Sequence, residues 1–186
     1  MQNRQINPKQ GLIPFSILVV GISSLLFLYL YLGKEPTVEI HGFRKEVAEI
    51  FGMAGFCALA LIYGRSILKL ILNEGTFLQR IIPDDHYDRS LSASRKLLAF
   101  LNRTHKHVGA TAIVIMATHA LLMGPARWNP FLISVLCLLA WQGIFGIFLV
   151  VRFPINTLKK HGRMAHAQLY TGVMIGVFAA FGHLLV

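Results

Sequence analysis

The sequence predicts an all-α fold, a polytopic membrane helical bundle of five transmembrane helices. Three observations carry that prediction. The 186 residues are 55% hydrophobic and only 14% charged, against about 25% charged in an ordinary soluble domain. Uncharged apolar runs recur along the chain, and each approaches the roughly 20 residues that cross a hydrocarbon slab of about 30 Å. The charged residues gather between those runs, as loops at a membrane surface require. The whole chain, 1–186, reads as one transmembrane domain.

The first helix is expected over about 11–33. Its apolar run is too long for the h-region of a signal peptide and ends in no small-residue cleavage site, so it reads as a retained span. Tyr29 and Tyr31 suit an interface. A polar loop with His41 leads to a second helix over about 47–71, whose end carries Arg65 and Lys69 and should project from the membrane. The next segment, 74–103, reads as a long polar connection. Pro83-Asp84-Asp85 marks a turn there, and 94–101 is expected to form a short amphipathic surface helix. The third span is placed over about 105–123, stopped by Gly124-Pro125 and followed by an interfacial Trp128. The fourth covers about 130–151, with Gly143 and Gly146 as close-packing points. A basic loop then leads to the fifth, over about 165–186, in which Gly172 and Gly176 form a GxxxG pattern that favours close helix approach or, beside a macrocycle, leaves room for a flat ring. Cys57 and Cys137 lie inside apolar runs with no CxxC or metal-ligand spacing, so both are expected to be core thiols.

Five spans place the two termini on opposite faces. Arg4, Lys9, Arg65, Lys69, Arg80, Arg89, Arg95, Lys96, Arg103, Lys106, Arg152, Lys159, Lys160 and Arg163 fall on the N-terminal side, against Lys34, Arg44, Lys45 and Arg127 on the other. The positive-inside rule then puts the N-terminus in the cytoplasm and the C-terminus outside. A bacterial inner (plasma) membrane is the expected location. This distribution also accounts for the net charge of +10 without a nucleic-acid partner.

Chemistry is carried by histidine. His105 and His119 are 14 positions apart, which on a helix is about 21 Å of rise and a phase difference of about 40°. The two rings therefore share a face, one near each side of the bilayer. The fifth helix repeats the arrangement with His166 and His183. An ionisable residue inside a membrane is a functional-site hypothesis by default, and imidazole is a common ligand of haem iron. Four imidazoles on two helices suit two haems, an outer one held by His119 and His183 and an inner one held by His105 and His166. The inner assignment leaves an alternative open. His107 lies 12 residues before His119, about 120° out of phase, and stands as the substitute for His105. His166 and His183 differ in phase by about 100° on an ideal helix, which a bend or π-bulge near Gly172 and Gly176 would correct. The plain alternative for any one of these histidines is a helix–helix hydrogen bond. His41, His86 and His161 read as solvated, His86 within the acidic turn of Asp84, Asp85 and Asp88. Arg65, Lys69, Arg103, Lys106 and Arg163 lie at the inner edge, where they could neutralise haem propionates; positive-inside topology already explains each of them.

Leu101-Asn102-Arg103-Thr104-His105-Lys106-His107-Val108-Gly109, followed by Thr118-His119-Ala120-Leu121-Leu122, resembles the third helix of ferric-reductase-like and cytochrome b561-like membrane proteins. The stretch from His166 to His183 resembles their second ligand helix. The likeness covers about residues 95 to 186. It implies a diheme b-type cytochrome that moves electrons across the membrane, with two haem b as cofactors and a quinone as a further candidate. The sequence departs from the pattern in the wider histidine spacing of its last helix, and no flavin or nicotinamide domain follows that helix. The chain therefore reads as the membrane subunit of a larger redox complex. Its expected partners are other redox subunits, soluble electron carriers or quinol, besides membrane lipid. Two other readings are a single-haem, quinol-reactive membrane anchor and a haem-free scaffold or transporter.

Overall fold

The structure is a computed structural model and describes residues 8–33, 42–73, 82–125, 128–151 and 169–186. It is all-helical, with no strand among the described residues. The five helices are α1 (Pro8–Leu32), α2 (Phe43–Asn73), α3 (Asp84–Met123), α4 (Pro130–Val150) and α5 (Leu169–Leu184). The first four are long and apolar enough to cross a membrane. The 16 residues of α5 rise about 24 Å and are the shortest of the five.

The third helix departs most from expectation. It does not begin near His105 but runs unbroken for 40 residues from Asp84, about 60 Å or twice the hydrocarbon thickness. The polar connection and the short surface helix expected over 94–101 are its first half. The physical reason lies in the side chains that face inward. Leu91, Ser94, Leu98, Leu101, His105 and Val108 are all partly buried, and they recur at the three- and four-residue steps of one helical face. Charged residues occupy the opposite face. Gly124 ends the helix in the left-handed region at φ 81°, its N–H donating to the Ala120 carbonyl at 3.1 Å. Pro125 follows, the usual neighbour of such a stop.

Two compact units divide the chain. One is Glu46–His119; the other combines Met1–Lys45 with Ala120–Val186. In the first, α2 and α3 form an antiparallel hairpin. Small residues set its close end: Ala48 and Ala112 are each 1% exposed, and a Cβ on Gly55 would run into Met116 Sδ and come within 3.0 Å of its Cγ. Side chains at i and i+4 stack on such a face, so a run of small residues lets two backbones approach.

In the second unit α5 packs on both α1 and α4. Phe27, Phe131, Phe178 and Phe181 interlock with centroid separations of 5.2–6.0 Å. Phe15 meets Tyr170 edge-on at 4.8 Å. These pairings make α1 and α5 parallel. The α4–α5 pair is antiparallel: a Cβ on Gly182 would lie 2.7 Å from Leu132 Cδ2, while Gln142 donates to Thr171 Oγ1 at 2.8 Å further along both helices. Asn129 caps α4 by accepting from Leu132 N at 3.0 Å and donates to the Gly182 carbonyl at 2.8 Å. One side chain thereby closes the start of α4 and the end of α5.

Two packing expectations are corrected. Gly176 is not a close-packing point: a Cβ there would meet nothing within 4 Å. Among the described glycines the close approaches fall at Gly11, Gly52, Gly55 and Gly182 instead. Cys57 and Cys137 are exposed rather than buried, because a helix surrounded by lipid gains nothing by turning every apolar residue inward. Hydroxyls on the spans satisfy themselves locally. Ser16, Ser24, Thr118 and Ser134 each donate to the carbonyl four residues earlier at 2.7–2.9 Å, as polar groups in a dry environment must.

Candidate functional site

The hairpin carries two of the sequence-predicted ligands on one face. Because α3 is continuous from Asp84 to Met123, the phase relation of His105 and His119 is realised, and both rings meet α2. His119 is part-buried and its Nδ1 lies 2.7 Å from the Ala48 carbonyl. The ring lies directly over Gly52, where a Cβ would come within 2.9 Å of His119 Cε1. A carbonyl only accepts, so Nδ1 carries a proton. His105 sits at the other end, in a cleft of about 150 Å³ between the two helices. Leu61, Ile62, Leu101, Thr104 and Val108 line it, and so does Arg65, whose Nε donates to Asn102 Oδ1 at 2.6 Å. His107 is exposed and lines no part of this cleft.

In the second unit His183 is exposed near the end of α5, and its Nδ1 lies 2.7 Å from the Ala179 carbonyl. Its Nδ1 therefore carries a proton, as that of His119 does. The start of α2 and the end of α3 also meet in this unit. Arg44 donates from Nε to the Leu122 carbonyl at 2.8 Å and from Nη2 to the Leu121 carbonyl at 3.2 Å. Trp128 Nε1 donates to the Ala120 carbonyl at 3.2 Å. A guanidinium on the last carbonyls of a helix complements the negative end of its dipole. Arg44 and Trp128 thus fasten the turn that follows His119.

The structure brings His105 and Arg65 to one cleft. It places His119 and His183 in different units. Lys69, Arg103 and Lys106 are exposed, as is His86 in the first turn of α3. His41, His161, Arg163 and His166 lie outside the described residues, as do positions 165–168 of the expected fifth span. Sequence reasoning missed Ala48, Gly52 and Asn102, the residues that hold or border the predicted ones. Gly52 and Gly55 were legible as a small-residue patch, but no spacing rule tied them to a histidine on another helix.

His119 and His183, each taken by itself, have a donor arrangement that suits a metal-bound imidazole. A metal-binding imidazole commonly donates its second ring N–H to a backbone carbonyl, which fixes the tautomer and orients the ring; both residues have that arrangement. Around His105 the fit is narrower. A cleft of about 150 Å³ is well below the roughly 300–1,000 Å³ of a cofactor pocket, so α2 and α3 by themselves do not enclose a porphyrin there. Among the described residues no three His, Cys, Asp or Glu side chains converge as a metal site; a haem iron asks at most two axial ligands of the protein. No protein-family model, curated protein or solved structure matches the chain.

Proposed function

We propose that this protein is a membrane cytochrome b that carries electrons across the bilayer as the membrane subunit of a larger redox complex. The observation that carries the reading is the arrangement that His119 and His183 share, each with Nδ1–H on a backbone carbonyl at 2.7 Å. In this reading those two residues hold an outer iron, and His105 with His166 holds an inner one. A b-type haem, when bound, supplies a one-electron iron couple. The protein orients the imidazoles, keeps the surroundings apolar and offers Arg65, Lys69, Arg103, Lys106 and Arg163 as counter-charges for propionates. The four long apolar helices support an integral membrane location. The excess of Lys and Arg on one set of loops supports a cytoplasmic N-terminus and an outside C-terminus.

The small size of the His105 cleft favours a second reading, in which a single haem on His119 and His183 serves a quinol-reactive anchor. Haem counts on variants separate the two. Replacing His119 by Ala is expected to remove one haem per chain and leave the other, while His105→Ala removes the inner one only in the diheme case. The variant His107→Ala keeps both. Unchanged haem content in His119→Ala would overturn the outer-pair assignment.

A further inference from the structure

The cleft beside His105 has a polar end and an apolar end, and their order along the membrane normal is fixed by the sequence. From His107 to Met123 the third helix carries no Asp, Glu, Lys or Arg, a stretch of about 26 Å that matches the hydrocarbon slab. Lys106 therefore marks the slab's edge. Asn102, which holds Arg65, stands one turn further out, about 6 Å. That is the depth of the headgroup layer, which adds roughly 5–7 Å on each side. Leu61 and Val108, at the other end of the cleft, lie at the depth of the first acyl methylenes.

Arg65 has unspent hydrogen-bonding capacity. A guanidinium carries five N–H donors. One is given to Asn102, and among the described residues no carboxylate or other acceptor meets the rest. The cleft's rim is apolar and open, with Leu61 52% and Phe100 61% exposed, so its mouth faces lipid rather than a soluble partner. A half-buried cation at phosphate depth, above an apolar slot at acyl depth, complements one kind of molecule.

We propose that this cleft binds an anionic phospholipid of the leaflet that the basic loops mark as cytoplasmic. The phosphate accepts from the Arg65 guanidinium, Asn102 fixes the guanidinium's orientation, and the start of an acyl chain lies along Leu61, Ile62 and Val108. Such a lipid would fill the open end of the hairpin. The proposal does not rest on the presence of haem.

The test is native mass spectrometry of the detergent-purified full chain exposed to equal amounts of dioleoyl phosphatidylglycerol and dioleoyl phosphatidylcholine, with haem content measured alongside. One retained phosphatidylglycerol is expected, preferred by about fivefold for one cation at the surface. Arg65→Gln should abolish the preference. Val108→Trp, which fills the slot and keeps the charge, should abolish retention. Arg65→Lys and Arg103→Gln should both leave the preference in place. The proposal is overturned if the wild type shows no preference, or if Val108→Trp retains the lipid as the wild type does. It is likewise overturned if Arg103→Gln weakens binding as much as Arg65→Gln, which would assign the effect to diffuse surface charge. Loss of haem with unchanged lipid binding in Arg65→Gln would assign the guanidinium to a propionate instead.

Discussion

The two ends of the α2–α3 hairpin hold one histidine each and treat it in opposite ways. At the end of His119, glycine and alanine bring the backbones so close that the ring lies on Gly52 and bonds the Ala48 carbonyl. At the end of His105, Leu61, Ile62, Leu101 and Val108 line a cleft of about 150 Å³. The same side chain is locked in one place and set beside open space in the other. The difference comes from the size of the residues opposite. Interhelical distance follows the side chains at the contact, and in lipid it is packing, not the hydrophobic effect, that draws helices together.

Substitutions along α2 test that contrast, because its glycines differ in what surrounds them. The largest effect is expected at Gly52. An added methyl would stand 2.9 Å from His119 Cε1, and a ring already bonded to Ala48 has little room to yield. Gly52→Ala should destabilise the protein by about 1–3 kcal/mol, the range for overpacking a tight contact. It should also lower occupancy of the haem assigned to His119. Thermal unfolding and haem content would check this, and a variant as stable and as haem-rich as the wild type would break the comparison. A smaller loss is expected from Arg44→Gln, which removes the guanidinium from the Leu121 and Leu122 carbonyls. A charge at a helix C-terminus contributes about 0.3–1 kcal/mol, so the unfolding midpoint should fall by about 1–4 °C with haem content unchanged. The smallest effect, opposite in sign, is expected at Gly64, where a Cβ meets nothing within 4 Å. Gly64→Ala should stabilise α2 by about 0.5–1 kcal/mol through lost chain entropy alone. A stability loss there comparable to that of Gly52→Ala would show that glycines in α2 act through something other than contact distance.

Much of this arrangement was legible in the sequence. Apolar runs located α1, α2 and α4 to within a few residues, and Gly124-Pro125 marked the end of α3. Histidine spacing gave the shared face of His105 and His119, since the phase of a helix is fixed by residue count. The first half of α3 was missed because its inward-facing leucines are diluted by Arg89, Arg95, Lys96 and Arg103, so mean hydropathy reads a loop where the period reads a helix. The neighbour of the histidine face was not legible either. Spacing within one helix fixes which residues point together but not which helix they meet, and Ala48 and Gly52 opposite His119 carry no chemical label. Of the two readings of GxxxG, close helix approach fails at Gly176 for a similar reason: two glycines four apart permit close approach, and the partner helix decides where the approach occurs.

The most direct test of the account is a dithionite-reduced-minus-oxidised absorbance spectrum of the protein purified with its cofactors retained, with haem quantified per chain. The account predicts a b-type spectrum and two haems per chain. One haem would remove the inner pair and leave the His119 and His183 assignment standing. A preparation that retains cofactors and shows no haem would contradict the electron-transfer reading outright.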